Sequence, residues 1–437
     1  SLRFAEDWSA FEASGTGDYW DAIKHIDLSD DGEFWLGMGG ELRYRTETWS
    51  GFGFAAADTA DDTFGLARGL LYTDWHLGNV RVFIEGESAF ATDRDLPGGR
   101  RGLDVDELDL HNAFVEFDVL TDADRTLGVR LGRQSLLFGK QRLVSHLPWA
   151  NSQRSWDGAR FMLETGGWKV DAFYTRNNPV KKHDFNDWQA GSDFWGVYAT
   201  GKLGKDKSVG LDLYYLGLNK EGPVTINGST GEESRYTVGS RVFGKFGDSG
   251  FDYDAEAAYQ IGEVGSADVS AYMLAAQLGY TVSDTGWKPR VYVGVDLASG
   301  DDSAGDGDVE TFNQLFPLGH AYFGSMDFIG RQNITDLSLG FSIKPHDRVT
   351  IKGQVHHFMR TSDGDSVYNA GGGVLRATSP GASDQVGQEL DLKVGYAVDR
   401  HLSLEAGYAH FFAGDYLSDT GSDEDVDFYY LQAMYRF

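Results

Sequence analysis

The chain has 437 residues, a formal net charge of −29, 57 glycines, 8 prolines and no cysteine. This charge argues against nucleic acid as a partner, because phosphate neutralisation requires clustered Lys and Arg side chains. The lack of cysteine excludes disulfides and thiolate chemistry. No apolar run is long enough for a membrane-spanning helix, which needs about 18 or more residues. A soluble chain of this length would form two or three domains, whereas a transmembrane β-barrel reaches it as one domain with glycine-rich turns and aromatic girdles.

Residues 1–32 show no regular alternation of apolar and charged residues and are predicted to be irregular. A short helical piece is expected near residues 19–25. The first four residues read as a processed end rather than a signal peptide. We interpret residues 1–32 as a periplasmic segment or a plug, and residues 33–437 as the barrel.

Strand signals begin at residue 33 and recur along the rest of the chain. In the first strand Leu42 and Tyr44 share one face while Arg43 and Arg45 share the other, the period of two expected of a β-strand. The segments predicted as strands, about 18 in all, are 33–49, 62–77, 79–91, 108–120, 125–133, 155–164, 168–177, 192–204, 208–218, 233–246, 250–262, 267–283, 288–299, 330–344, 348–360, 384–397, 401–413 and 426–437. This even number suits an antiparallel barrel with both ends of the chain in the periplasm.

The links between these segments alternate in length. Every second link is tight, as at residues 78–79, 166–167 and 345–347. The long links are expected at 50–61, 92–107, 134–154, 178–191, 219–232, 300–329, 361–383 and 414–425, with only 263–266 short among them. Short turns at one rim and long loops at the other are typical of an outer-membrane barrel, and a soluble sandwich has no reason to show them.

The last strand, at residues 426–437, ends in Tyr435, Arg436 and Phe437. Its aromatic end resembles the closing strand of bacterial outer-membrane barrels. A ring of 16–18 strands leaves an aqueous lumen, so the charged faces are predicted to line the channel and the apolar faces to contact lipid. The sequence therefore predicts an all-β transmembrane barrel in the bacterial outer membrane, with short periplasmic turns and long extracellular loops.

Two stretches carry a more specific pattern. Residues 131–161 contain G-R-Q, G-K-Q-R and R-S-W-D-G, and residues 320–327 read H-A-Y-F-G-S-M-D after an acidic stretch. Here the chain resembles the alginate-export family of outer-membrane porins, and the resemblance runs from Trp35 to Phe437. It implies a barrel of roughly 18 strands that exports an acidic polysaccharide through an arginine-lined pore.

The residues themselves are compatible with such a pore. Arg130 and Arg160 have lumen parity on adjacent strands, and Arg133, Arg142 and Arg154 lie in or beside loop 134–154, which is long enough to fold inward. Arginine forks hold carboxylates bidentately, so they suit uronate groups that move from site to site. The predicted pore-lining or constriction residues are Arg43, Arg45, Arg68, Arg81, Arg130, Arg133, Arg142, Arg154, Arg160, Arg241, Arg290, Glu116 and Asp118.

Alternative interpretations of the same residues remain. The arginines can instead pair with Glu116, Asp118, Asp157 and Glu164 to balance charges inside the barrel. The wall strands carry at least as many acids as bases, which suits a general diffusion porin for small polar solutes as well as a polyanion channel. A third interpretation is a barrel enzyme or adhesin with a blocked pore.

Enzyme and cofactor signals are weak. Residues 247–250 spell G-D-S-G but fall in a tight turn, and His356 and His357 lie on opposite strand faces. Asp302, Asp306, Asp308 and Glu310 could hold Ca²⁺ in a loop, although the EF-hand pattern is not met. We predict no catalytic activity, no metal site and no cofactor, with loop Ca²⁺ as the alternative.

The prediction for function is a passive outer-membrane channel of the alginate-export type, conducting an anionic polysaccharide or a related polar or anionic solute. Loop 134–154 and loop 300–329 are expected to narrow the lumen. The expected partners are outer-membrane lipid, lipopolysaccharide, the solute and a periplasmic scaffold at the short-turn rim, with no nucleic acid. The barrel is expected to be a monomer.

Overall fold

The computed structural model describes residues 2–9, 18–204 and 207–437. The segments with alternating apolar and charged residues form strands. Successive side chains of a strand point to opposite faces of the sheet, so the apolar residues meet one environment and the charged residues meet the other. The long strands are β1 (Phe34–Ser50), β2 (Asp62–Leu77), β3 (Val80–Ala91), β4 (Asp106–Thr121), β5 (Arg125–Gln134), β6 (Trp156–Thr165), β7 (Trp168–Asn177), β8 (Ser192–Leu203), β9 (Val209–Ile226), β10 (Ser229–Lys245), β11 (Phe251–Val264), β12 (Ala267–Thr281), β13 (Arg290–Ala298), β14 (Ile334–His346), β15 (Val349–Arg360), β16 (Gln385–Ala397), β17 (Leu402–Ala413) and β18 (Val426–Arg436).

Other elements are short. They are the 3₁₀ turns Arg3–Ala5, Asp21–Ile23, Phe52–Phe54, Asp58–Ala60 and Gly319–Ala321, the helix α1 (Asp415–Thr420), the two-residue strands Ile26–Asp27 and Asp308–Val309, and a loop hairpin of Val367–Tyr368 with Val374–Arg376. Within the described residues, no helix has the length and apolar character that crossing a membrane requires.

The sheet closes on itself. Consecutive strands pair antiparallel in chain order, and β18 pairs with β1 from Glu41 opposite Arg436 to Ser50 opposite Asp427. The amide of Phe437 donates to the carbonyl of Gly40 at 3.1 Å, so the pairing continues to the last residue. The predicted barrel of about 18 strands is confirmed.

The two faces of the wall have the polarity of a membrane barrel. On β1, Arg43 and Glu41 are 3% and 5% exposed, whereas Leu42 and Tyr44 on the opposite face are each 53% exposed. The apolar face of the wall is therefore the outer one and the charged face lies inside, the reverse of a soluble barrel.

One predicted loop is wrong. Residues 219–232 do not form a long loop, because β9 and β10 extend beyond the ring to a two-residue turn at Asn227 and Gly228. Both residues have positive φ, 38° and 90°, as a type I′ hairpin turn requires. The Asn-Gly dipeptide between Ile226 and Ser229 is the signal for this turn. The turn predicted at residues 204–207 lies partly outside the described residues.

Two long loops fold into the lumen and pair with each other. Val144 of loop 135–155 forms a parallel bridge with Phe316 of loop 299–333. The amide of Ser145 donates to the carbonyl of Phe316 at 2.8 Å, and the amide of Phe316 donates to the carbonyl of Leu143 at 2.9 Å. Apolar side chains of both loops join lumen-facing wall residues in one buried cluster. The barrel interior thus contains a packed core as well as water-accessible space.

The described part of the N-terminal segment also enters the barrel. Phe4 is buried against the lumen-facing rings of Tyr72, Phe83 and Phe114. Residues 18–25 pack at the short-turn rim, where the indole Nε1 of Trp20 donates to the hydroxyl of Tyr435 at 2.7 Å. Residues 1 and 10–17 of the segment predicted as a tail or plug lie outside the described residues.

Candidate functional site

Three of the predicted pore arginines hold loop 135–155 against the wall. Arg43 donates to the carbonyls of Trp149 at 3.0 Å and Ala150 at 2.8 Å. Arg68 donates to the same Ala150 carbonyl at 2.8 Å and pairs with Glu41 at 2.7 Å. Arg45 donates to the Trp149 carbonyl at 2.9 Å and lies over its indole ring at 3.8 Å. These wall cations fix the position of the loop that narrows the lumen.

Arg142 anchors the same loop to the opposite wall. Its Nη1 lies 2.8 Å from an oxygen of Asp254 and 2.8 Å from an oxygen of Glu256, both on β11. Arg241 of β10 completes the cluster with 2.6 Å to Asp254 and 2.9 Å to Asp212. Burial opposes the charge of Arg142, but the nearby Tyr322 and the carboxylates of Asp296, Glu256 and Asp254 outweigh it and raise its pKa.

The N-terminal segment covers a second group of predicted residues near the short-turn rim. Arg130 pairs with Glu116 at 2.5 Å and lies over the ring of Phe4 at 4.3 Å. Arg81 pairs with Asp74 at 2.7 Å and donates to the carbonyl of Phe4 at 2.8 Å. Each guanidinium group is therefore engaged by a carboxylate and by Phe4, Arg130 through the ring and Arg81 through the backbone carbonyl.

The remaining predicted residues are dispersed. Arg160 pairs with Asp171 at 2.7 Å, and Arg290 pairs with Asp252 at 2.6 Å. Arg133 lies between Asp109 and Asp157 under loop 178–191, away from the cavities described below. Asp118 is exposed and forms no ion pair within residues 2–9, 18–204 and 207–437. Of the carboxylates weighed as partners, Glu116 and Asp157 do bind arginines, whereas Glu164 binds Lys169.

A layer of three side chains crosses the lumen where the two loops meet. The imidazole of His320 stacks on the indole of Trp149 with 3.7 Å between ring centroids and 12° between planes. Since Arg45 lies 3.8 Å from the same ring, the two groups occupy opposite faces. Lys393 of β16 places Nζ 3.1 Å from Nε2 of His320. Trp149, His320 and Lys393 are called the constriction layer below.

Burial lowers the pKa of His320, and the positive charge of Lys393 lowers it further. The imidazole is consequently neutral at neutral pH and can accept a hydrogen bond from Lys393. The layer thus carries one positive charge, on the lysine.

The constriction layer separates two cavities. The upper cavity, of about 440 Å³, lies on the loop side and is lined by Trp149 and Gly319 among other residues. The lower cavity, of about 480 Å³, lies on the other side and is lined by His320, Lys352, Asp391 and Lys393 among others. A third cavity of about 400 Å³ shares Lys352 and Lys393 with the lower one and reaches Arg348 in a short turn.

The cavity walls are cationic although the chain is strongly acidic. The upper cavity has four arginines and three carboxylates: Arg45, Arg94, Arg101, Arg154, Glu47, Asp104 and Asp327. The two cavities below the layer have five Lys or Arg residues and three carboxylates: Arg290, Arg348, Lys352, Lys393, Arg436, Asp347, Asp391 and Glu405. Neither Lys352 nor Lys393 forms an ion pair with a carboxylate of the described chain.

Arg154 is the predicted residue that best fits a role at a cavity wall. Its Nη1 donates to the carbonyl of Pro317 at 2.9 Å, and it forms no ion pair with the described carboxylates. Burial lowers its pKa to about 10, so the guanidinium stays protonated at neutral pH.

Sequence reasoning missed Lys352, Lys393, Arg94 and Arg101. Lys352 and Lys393 share strand faces with Gln354 and Asp391, so the period of two could have identified them as lumen-facing. Arg94 and Arg101 come from loop 92–105, where the residue pattern has no period that would indicate which side chains face the lumen.

The acidic loop proposed for Ca²⁺ does not gather its carboxylates. Among the described residues, no group of three or more His, Asp and Glu side chains is placed to hold a metal ion. Asp302, Asp306 and Asp308 are exposed, and the amide of Asp308 donates to Asp306 at 3.0 Å.

The closed ring, the outward apolar face and the loops folded into a charged lumen define a porin-type barrel. Solved structures agree with this class. The chain is similar to Pseudomonas aeruginosa OccK3 (OpdO), with a TM-score of 0.61 and 14% identity over 94% of this chain and 97% of that one. It is similar to Pseudomonas aeruginosa OccK2 (OpdF) in complex with glucuronate, with a TM-score of 0.58 and 13% identity over 92% and 98%. It is also similar to Pseudomonas aeruginosa OpdK with vanillate, with a TM-score of 0.61 and 12% identity over 92% and 98%.

At these identities the likeness shows the fold alone. The family comes from the sequence: residues 34–428 match the family model for alginate export, and the chain belongs to that family. No curated protein matches the chain. The family and the fold are those of outer-membrane channels and not of enzymes.

Proposed function

We propose that the protein is a passive outer-membrane channel that conducts carboxylate-bearing solutes through the upper cavity, the constriction layer and the lower cavities. The observation that carries this proposal is the cationic lining of all these cavities in a chain with a net charge of −29. Low-dielectric walls concentrate the field of such charges and raise the local concentration of anions. Four cavity cations form no ion pair with a described carboxylate, so they contribute most to the preference: Lys352, Lys393, Arg154 and Arg348.

For the solute, we propose an acidic polysaccharide of the uronate type. The family description supports it, and arginine forks suit carboxylates that repeat along a polymer. One polymer strand would pass from the short-turn rim along Lys352 and Lys393 to Arg154.

The second candidate is a channel for small polar or anionic solutes. The observation that favours it is the filled lumen: two loops bonded to each other cross the barrel and leave cavities of only about 440 and 480 Å³. A polymer can pass only if the constriction layer moves aside, whereas a small solute needs a smaller displacement.

We further propose a monomer whose outer face contacts lipid and lipopolysaccharide in the bacterial outer membrane, with the short-turn rim open to a periplasmic scaffold protein. Wall pairing is complete within the single chain.

Ion selectivity in planar bilayers tests the proposal. The purified protein should give a reversal potential of the anion-selective sign in a KCl gradient. The double variant Lys352→Gln/Lys393→Gln should shift this potential toward cations, while Lys181→Gln on the external loop 178–191 should leave it unchanged. A cation-selective wild type, or a double variant with the wild-type potential, contradicts the proposal.

Block by uronates separates the two candidates. Current that is blocked more strongly by oligouronates than by the monomer at equal uronate concentration supports the polysaccharide channel. Equal block by monomer and oligomer supports the small-solute channel.

A further inference from the structure

The upper cavity combines aromatic walls with guanidinium groups. Trp49 of β1 stacks on Phe428 of β18 with ring centroids 4.1 Å apart, and Phe52 meets Trp49 edge-on at 5.3 Å. Phe328 of loop 299–333 lies 5.7 Å from Phe52, and Phe64 of β2 also lines the cavity. Five rings from four different parts of the chain therefore form a largely apolar wall, which is what planar apolar ligands require.

The charged part of the wall has a surplus cation. Arg101 holds Asp104 through two hydrogen bonds of 2.9 Å each, and Arg94 reaches the same carboxylate at 3.6 Å. Burial opposes the charge of Asp104, but Arg101 outweighs it and lowers its pKa. Arg154 donates its only described hydrogen bonds to backbone carbonyls, so its outer edge remains available for a carboxylate.

Few neutral polar groups remain to bind hydroxyls. The amide nitrogen of Asn151 donates to the carbonyls of Ala67, Phe90 and Asp104. The side-chain oxygen of Asn369 accepts from two loop amides. The hydroxyl of Ser325 is buried and has no hydrogen-bond partner in the described chain, so it can bind one further polar group.

These features disfavour a sugar ring at this position. Its several hydroxyls would lose water and find few free uncharged partners, and each unmet hydrogen bond weakens binding. An apolar ring with one carboxylate has no hydroxyls, so it loses no such hydrogen bonds with water. A volume of about 440 Å³ lies within the range of small-molecule sites and is too small for a folded polymer.

We propose that the upper cavity is a binding site for an aromatic or similarly apolar monocarboxylate, with the carboxylate on Arg154 and the ring among Trp49, Phe52 and Phe328. This inference rests on the second candidate above, the channel for small anionic solutes, and specifies the solute class that its loop-side cavity selects.

Calorimetric titration of the full-length protein in detergent tests the site. Benzoate and cyclohexanecarboxylate should bind at least about tenfold more tightly than glucuronate and acetate, because only they place apolar surface against the rings. The variant Arg154→Gln should weaken benzoate binding by about tenfold or more. Phe328→Leu should weaken benzoate several-fold and leave glucuronate unchanged. The matched control is Arg176→Gln, since Arg176 pairs with Asp193 outside the cavity.

Two results overturn the inference: benzoate binding no tighter than glucuronate, or benzoate affinity unchanged in Arg154→Gln. The wild-type comparison of four anions needs no variant, so a folding defect in a variant does not decide it. The reversal potential of the same preparation distinguishes failure of this binding-site inference from failure of the channel proposal. Anion selectivity without a benzoate preference rejects this site alone, whereas loss of anion selectivity rejects the channel proposal.

Discussion

Substitution of Arg142 by glutamine should release loop 135–155 from the barrel wall. The guanidinium bridges Asp254 and Glu256 at 2.8 Å each, and its side chain is 3% exposed. After its removal Asp254 keeps Arg241 at 2.6 Å, whereas the one partner left to Glu256 among the described residues is the hydroxyl of Tyr214 at 2.9 Å. Loss of one partner of a buried ion pair costs about 3–5 kcal/mol, because the other charge stays buried without compensation.

Hydrogen exchange followed by mass spectrometry measures this loss locally. The amides of Ser145, Phe316 and Leu318 form the hydrogen bonds that join the two lumen loops. Their exchange proceeds through local opening, so a loss of about 3–5 kcal/mol should accelerate it roughly 10²- to 10⁴-fold. Exchange in the β1 and β18 pairing should not change, because the ring does not depend on Arg142.

Two variants make the interpretation specific. Lys140 contacts the same Asp254 at 3.3 Å with 43% of its side chain exposed, so Lys140→Gln should cost at most about 1 kcal/mol. Adding Glu256→Gln to Arg142→Gln removes the uncompensated charge and should restore much of the protection. Unchanged exchange in Arg142→Gln, or no recovery in the double variant, refutes the assignment of this cluster as the loop anchor.

Three further outcomes follow from the contacts inside the barrel. Phe4→Ala should raise single-channel conductance because it withdraws the ring that covers the short-turn end of the lumen, while Tyr19→Ala, 86% exposed in the same segment, should have no effect. Gly324→Ala should loosen loop 299–333 and accelerate its amide exchange, because Gly324 has a φ of 84° and an added Cβ would collide with the Glu389 carboxylate. Exchange at the wild-type rate would show that the loop tolerates the added methyl group. Burial lowers the pKa of His320, so the fold favours the neutral ring: the stability of the constriction layer is complete above about pH 6.5 and falls as the pH drops toward the lowered value. Wild-type conductance should therefore rise on acidification, and a similar rise in His320→Gln would contradict this origin.

The wall could be predicted from the sequence because its information is local. The alternation of charged and apolar residues, such as Arg43 next to Leu42, specifies both the strand and the face that each side chain occupies. A register shift of one residue would move every side chain to the opposite face of the sheet. The one wrong loop had a local signal as well, since Asn227-Gly228 between Ile226 and Ser229 is a strong hairpin pattern. The alternation of β15 and β16 also specifies Lys352 and Lys393 as lumen-facing, because they share strand faces with Gln354 and Asp391.

The lumen contents could not be predicted in the same way. Trp149 and His320 stack across 171 positions of chain, and the two loops that carry them have no period to indicate which side chains meet. Leu147 and Asp327 adopt positive φ, 58° in each case, without the glycine that would announce such a turn. Non-glycine residues hold this conformation only where surrounding contacts determine it, so the loop shape is a product of packing inside the ring.

The acidic loops and the cationic lumen act on different steps of transport. Exposed carboxylates such as Asp58, Asp306 and Glu424 lie in the long loops, so an anion approaching from that rim first meets a negative field. This field is screened over a Debye length of about 8 Å at physiological salt, whereas buried cavity charges are screened much less. Raising the salt concentration should thus increase the rate at which anions arrive while leaving their preference over cations nearly intact. Because the acidic groups stand at one end of the cationic path and not at the other, the current should also differ between voltages of opposite sign. A channel whose charge was spread evenly along its length would show neither effect, so a symmetric current–voltage relation at low salt would mean that the loop carboxylates stand too far from the path to act on it.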